Sequence, residues 1–218
     1  MKLSETELQE LAKQLHCPSG KDGIKVGEMM NFTNNNIINK TIHSLNLKKG
    51  EAVLEIGPGN GVHISELFKI IPDLNYTGID ISKTMISQAK KLNSGLKNVS
   101  FHLTDGKTIE FKANKFDKIF TVNTIYFWQN PQEYATEITR VLKPGGKLAI
   151  GFIPETTMQK IPFAKYGFTH YSISAVSALI ESTGLKITSA VTATEIVMSN
   201  SGNEIEREFV IMTAEKLL

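Results

Sequence analysis

From residue 52 to residue 183 the sequence alternates short apolar runs with amphipathic stretches, and this alternation constrains the fold more than any other feature. Residues 52–57, 75–80, 98–103, 116–122 and 147–153 read as strands. The segments between them carry helical stripes with recognisable ends. Ile64, Leu67, Phe68 and Ile71 line one face before Pro72; Ser82 caps a helix with Met85, Ile86 and Ala89 inward. Asn130, Pro131 and Glu133 open another, with Tyr134, Ile138, Val141 and Leu142 as its stripe and "KPGG" closing it. A last helix is expected over 172–183, ended by Gly184. Parallel strands need a crossover helix, and each such helix must bury its apolar stripe, so the pattern predicts a mostly parallel sheet covered on both faces. Two β-like stretches, 185–198 and 204–214, flank "NSGN" and predict a hairpin that adds an antiparallel strand.

The N-terminal part reads differently. Residues 4–16 predict an amphipathic helix: Ser4 and Glu7 form a capping box, Leu8, Leu11 and Leu15 share a face, and Pro18 with Gly20 stops the pattern. "KDGIKVGEMMNFTNNN" is rich in glycine and asparagine and has no clear period, so it reads as a linking segment whose Ile24, Val26, Met29, Met30 and Phe32 pack on the domain. A second helix is expected over 36–45. The chain therefore divides into a helical extension or lid, 1–46, and a ligand-binding domain, 47–218.

Composition removes several functions. With 218 residues, 41% of them hydrophobic, the chain can bury a full core. It has no apolar run of about 18 residues, and "MKLSETELQELAKQ" lacks the apolar block of a signal peptide, so no membrane span and a cytoplasmic location are expected. Cys17 is the only cysteine, which excludes an internal disulfide and a multi-cysteine metal site. No metal is expected. The net charge of +2 comes from scattered lysines that read as solvated faces, so nucleic acid is not implied.

The chemistry concentrates in "VLEIGPGNG", Val53 to Gly61, at the first strand-to-helix turn. In an open parallel sheet, ligands bind beyond the carboxyl ends of the strands, and glycines let ligand atoms approach the backbone there. The pattern Gly57-x-Gly59-x-Gly61 departs from the dinucleotide fingerprint, since position 62 is valine. Glu55 is more telling. A pyrophosphate beside a carboxylate is repelled, whereas a cationic ligand is attracted. Asp80 follows Gly61 by 19 residues, close to the separation of about 20 expected for a carboxylate that binds a ribose diol. The site thus suits an adenosine attached to a positive group and lacking phosphate, which describes S-adenosylmethionine.

The chain from about Val53 onward resembles the class I S-adenosylmethionine-dependent methyltransferases, and is most similar to the small-molecule branch related to the ubiquinone and menaquinone methyltransferases. The resemblance rests on "VLEIGPGNG", "GIDIS", "VSFHLTDG", "FDKIFTVNTIYFW" and "VLKPGGKLAI", in the family's order and spacing. It implies a Rossmann-like α/β sheet with a C-terminal antiparallel strand, S-adenosylmethionine as cofactor, and a small-molecule methyl acceptor. By the resemblance, Gly57, Pro58 and Gly59 pass close to the methionine portion, Glu55 meets its ammonium, Asp80 holds the ribose, and Ile81 and Met85 flank the adenine. Asp105 and Gly106 border the adenine amino group, and Asn123 stands near the sulfonium. Asn31 with Met30 belongs to the lid reading. His63 reads as an exposed or otherwise satisfied histidine. For catalysis the residues to consider are Tyr126, then His170, the latter in "PETTMQKIPFAKYGFTHYS", where the family often lines its acceptor pocket. The alternative is a protein that binds S-adenosylmethionine without turnover, as a sensor or partner. A nicotinamide dehydrogenase conflicts with Glu55. Methylation of a nucleic-acid base amino group is disfavoured because "NTIY" lacks the Asn/Asp-Pro-Pro-Tyr/Phe motif.

Overall fold

A computed structural model describes residues 3–198 and 204–218. Its order is α1 (Glu5–His16), α2 (Gly20–Ser44), β1 (Ala52–Ile56), α3 (Ile64–Ile70), β2 (Asn75–Asp80), α4 (Lys83–Leu92), β3 (Val99–Leu103), β4 (Phe116–Val122), α5 (Pro131–Val141), β5 (Leu142–Phe152), α6 (Glu155–Met158), α7 (Ile173–Glu181), β6 (Leu185–Met198) and β7 (Glu204–Lys216). The seven strands form one sheet in the order β3-β2-β1-β4-β5-β7-β6. All neighbours among β1 to β5 are parallel, and β7 is antiparallel to both β5 and β6. This is the expected Rossmann-like sheet with its C-terminal hairpin. The "NSGN" turn itself lies outside the described residues.

Alternation along the strands sets the two faces. In β1, Leu54 and Ile56 belong to one buried cluster, with Ile119 and Ile150 of the sheet, Ile138 and Val141 of α5, and Val176 and Ile180 of α7. Val53 belongs to the other, with Ile64, Leu67 and Phe68 of α3 and Ile86 and Ala89 of α4. Glu55, two residues after Val53, points to that second face, where apolar strand chemistry alone would not put a carboxylate. "KPGG" does not end before the strand as expected but lies inside β5. The register jumps there from Phe116 opposite Leu142 to Lys118 opposite Lys147, so these residues form an irregular bulge.

The N-terminal segment is a correction to the sequence reading. Residues 21–36 are not a linker: they belong to α2, a single helix of 25 residues that absorbs the expected 36–45 helix as its end. The glycines that suggested a loop are contact points. A Cβ on Gly23 would lie 2.6 Å from the Pro18 carbonyl carbon, and one on Gly27 would lie 2.9 Å from Met85 Sδ. Glycine in a helix costs about 1 kcal/mol relative to alanine, and here the close approach to α4 offsets it. The C-terminal half of α2 is core. Ile37 and Thr41 are fully buried, and a Cβ on Gly151 of β5 would meet Thr41 Oγ1 at 2.5 Å. α1 starts at the predicted capping box, with Glu7 N–H donating to Ser4 Oγ at 3.3 Å and Ser4 N–H to Glu7 Oε2 at 2.8 Å.

Candidate active site

The strand order reverses between β1 and β4, so the chain leaves the two strands in opposite directions and opens a crevice at their carboxyl ends. The Gly57 N–H still donates to Ile79 O at 2.8 Å, continuing the ladder onto β2 before the chain turns away. Gly57 sits at φ +75°, and a Cβ there would lie 2.5 Å from Thr124 Cγ2. Gly59, at φ +57°, has open space where its side chain would be. Neither site suits another residue, the first for space and the second for backbone conformation.

The loop presents a cavity lined by Glu55, Gly57, Pro58, Gly59, Asp80, Ile81, Met85, Asp105, Gly106 and Asn123, with Met30 and Asn31 of α2 across from them. Every residue expected to bind the cofactor thus converges on one cavity. Asp80 is 8% exposed. Its Oδ2 accepts the Gly59 N–H at 3.1 Å and its Oδ1 the Ser82 N–H at 2.8 Å. Burial outweighs these donors and pushes its carboxyl up to about 6. Asp105 is exposed, and its Oδ1 accepts the backbone N–H groups of Lys107 at 2.8 Å and Thr108 at 3.1 Å, which hold its carboxyl below the ordinary value. Asp105 therefore shapes its own turn while facing the cavity. Met85 is almost wholly buried against Gly27.

Glu55 is 2% exposed, and sequence reasoning missed its partners. Its Oε2 accepts the Tyr76 hydroxyl and lies 2.9 Å from His63 Nε2. Its Oε1 has no hydrogen bond among the described residues and is left for the cavity. His63 is therefore neither exposed nor idle. It lines the cavity and orients the carboxylate, a pairing across eight residues that no periodicity announces. His16, at the end of α1, was also unforeseen: it lines the cavity and stacks on Phe127 with ring centroids 4.7 Å apart. The α1–α2 turn is tied down beside it, since Ser82 Oγ donates to Pro18 O and the Gly20 N–H to Thr84 Oγ1 at 3.2 Å.

A second cavity, of about 820 Å³, adjoins the first. The two share Leu15, Met30, Asn34, Asn123 and Phe127 as lining. The polar atoms at this junction form a chain. Tyr126 O–H donates to Asn123 Oδ1 at 3.0 Å, and Asn123 Nδ2 donates to Asn34 Oδ1 at 3.1 Å. Asn123 reaches this position from a left-handed backbone at φ +57°, a conformation that asparagine tolerates. Tyr126 also accepts the Ile153 N–H, and burial raises its phenol far above the ordinary value. It lines the second cavity, where its hydroxyl fixes Asn123. His170 is not brought to the site: it lines neither cavity, and its Nε2 donates to Ala164 O at 3.0 Å, supporting the 159–171 loop.

The donor set fits a cationic adenosine ligand. A free carboxylate oxygen on Glu55 suits an ammonium, the buried Asp80 carboxylate suits a diol, and the bare backbone at Gly57 and Gly59 leaves room for the bridge between them. A family model described as a methyltransferase domain matches residues 47–195. The chain is 32% identical over 130 residues to the uncharacterized methyltransferase YdaC of Bacillus subtilis, covering 59% of this chain and 70% of that protein. It is 30% identical over 138 residues to a demethylmenaquinone methyltransferase of Tropheryma whipplei, covering 63% of this chain and 56% of the enzyme. Several longer relatives are matched over only 30–35% of their length. Among solved structures, a SAM-dependent methyltransferase from Aquifex aeolicus superposes with a TM-score of 0.64 at 23% identity, covering 98% of both chains. The chain belongs to the class I S-adenosylmethionine-dependent methyltransferases.

Proposed function

We propose that the protein transfers a methyl group from S-adenosylmethionine to a small, largely apolar acceptor held in the second cavity. The observation that carries this reading is the junction of the two cavities at Asn34, Asn123 and Phe127. The relative from Tropheryma whipplei, a demethylmenaquinone methyltransferase by name, supports an apolar acceptor. When bound, the cofactor supplies an electrophilic methyl on a positive sulfur.

The chain's own residues do the rest. Glu55 Oε1 would hold the ammonium while His63 and Tyr76 fix the carboxylate from behind. Asp80, kept in place by Gly59 and Ser82, would take the ribose hydroxyls. Asn123, held by Tyr126 and Asn34, marks the point where acceptor and cofactor meet. Phe127, Met30 and Leu15 exclude water from that point, and a dry, aligned site favours transfer between an electrophile and a nucleophile without further groups. At that point Asn34, Asn123 and the Tyr126 hydroxyl form a fixed chain of polar groups, and the His16 imidazole stacks on Phe127 beside them. The lone cysteine suits a cytoplasmic setting.

The experiment is titration calorimetry with S-adenosylmethionine, followed by S-adenosylhomocysteine release over a panel of apolar acceptors. Binding and turnover support the reading. Loss of all binding would overturn it, and binding without turnover on any acceptor would make the protein a sensor.

A further inference from the structure

The second cavity is walled by apolar side chains from four parts of the chain: Leu8 of α1, Met29 of α2, Ile161 and Phe168 of the 159–171 loop, and Val197 of β6. Three charged residues line it. Lys160 and Glu206 are exposed, whereas the Arg207 side chain is only 11% exposed. Arg207 is on β7, past Val210, the last β7 residue that pairs with β5, where the hairpin projects beyond the sheet and over the cavity.

Arginine carries five N–H donors, and here their use can be followed. Nε donates to Glu195 Oε1 at 3.0 Å; Nη2 donates to the same oxygen and to Thr33 O of α2. The two hydrogens of Nη1 have no acceptor among the described residues. Glu195 is itself held by Asn36 Nδ2 at 2.9 Å, so the guanidinium is fixed in orientation from two sides. It lines the same cavity as Tyr126 and as Asn34 and Asn123 of the junction. A fixed guanidinium with a free edge in an apolar chamber calls for a ligand oxygen or sulfur, best of all a charged one, because charge-assisted hydrogen bonds are the strong ones and low dielectric amplifies them.

We propose that the acceptor is an apolar molecule bearing one anionic group, and that Arg207 is the residue that reads it. This rests on the methyl-transfer reading above and narrows its substrate class. Glu195 limits the strength of the selection, since it neutralises part of the same charge. The clamp from Arg207 to α2 also gives a bland role, that of holding the hairpin tip, so the test must separate recognition from support.

Decanoate and decan-1-ol serve as probes of equal chain length, titrated into the protein saturated with S-adenosylhomocysteine. The wild type is expected to bind decanoate at least about tenfold more tightly than decanol, a difference of about 1.4 kcal/mol. Arg207→Gln is expected to abolish the preference, weakening decanoate while decanol affinity stays within about twofold. Glu195→Gln is expected to increase it, because the guanidinium loses its internal counter-charge. Equal wild-type affinity for the two probes would overturn the proposal, as would parallel weakening of both probes in both variants, the signature of a hairpin clamp. If S-adenosylhomocysteine itself fails to bind the wild type, the cofactor site is refuted and the proposal falls with it.

Discussion

One oxygen of Glu55 carries Tyr76 and His63 while the other faces the cofactor cavity, so substitutions there separate binding from stability. Glu55→Gln keeps the shape and removes the charge, and is expected to weaken S-adenosylmethionine by about tenfold or more in titration calorimetry. Glu55→Ala also strands a buried hydroxyl and an imidazole, adding about 1–3 kcal/mol of destabilisation in urea unfolding. Unchanged affinity in both Glu55→Gln and Asp80→Asn would contradict the site. Asp80 brings a pH dependence. Its carboxyl is raised by burial from 3.8 to about 6, so the folded chain holds a proton that the unfolded chain has released. The associated stability is complete below about pH 4 and is lost as pH rises through about 6, amounting to about 3 kcal/mol by linkage. Unfolding free energies measured from about pH 3.5 to 7.5 should therefore converge on those of Asp80→Asn at the acid end, separate progressively between about pH 4 and 6, and stay apart above it. Cofactor affinity should move the opposite way, rising through pH 6 as the carboxylate ionises and can accept the ribose hydroxyls. Both carboxylates were legible because strand ends and loop spacing give them away. His63 was not, since its pairing with Glu55 exists only once α3 packs over β1.

At the scale of elements, strands were easier to read than the α1–α2 region. β2 and β4 begin and end where apolar alternation says, because a strand buried on both faces writes its limits in composition. α2 was misread for a physical reason. Gly23 and Gly27 are small so that Pro18 and Met85 can come close, and a contact requirement of that kind is indistinguishable from a loop in the sequence alone. The same distinction separates the loop glycines. Gly57→Ala would force its Cβ against Thr124, whose Oγ1 bonds both Thr121 and Trp128 Nε1. It is expected to lower the melting temperature and cofactor affinity together. Gly59→Ala meets no atom and carries only the left-handed backbone cost of about 1–2 kcal/mol, so its thermal shift should be the smaller of the two. A melting series on the two variants, with and without S-adenosylhomocysteine, decides the order.

For the whole molecule, the two cavities are not independent, because α1 and α2 wall both of them. Leu15 and Met30 touch each, His16 closes the cofactor side by stacking on Phe127, and Phe127 lines the second cavity as well. An acceptor that packs against Phe127 should therefore favour the same arrangement that covers the cofactor, and the reverse must hold by linkage. Ligand binding to the folded state alone raises stability by about 2.7 kcal/mol at a hundredfold excess over Kd, which for a chain of this size is a melting shift of about 5–11 °C. Wild type is expected to show such a shift with S-adenosylhomocysteine. His16→Ala removes the stacked ring without touching Glu55 or Asp80, so it should lower affinity by a few fold, about 0.5–1.5 kcal/mol for the aromatic contact. It should also reduce the amount by which decanoate tightens the nucleotide. If His16→Ala leaves that coupling at its wild-type value in a two-ligand titration, then His16 acts only as cover, and the sites communicate through the residues they share, Leu15, Met30, Asn34, Asn123 and Phe127.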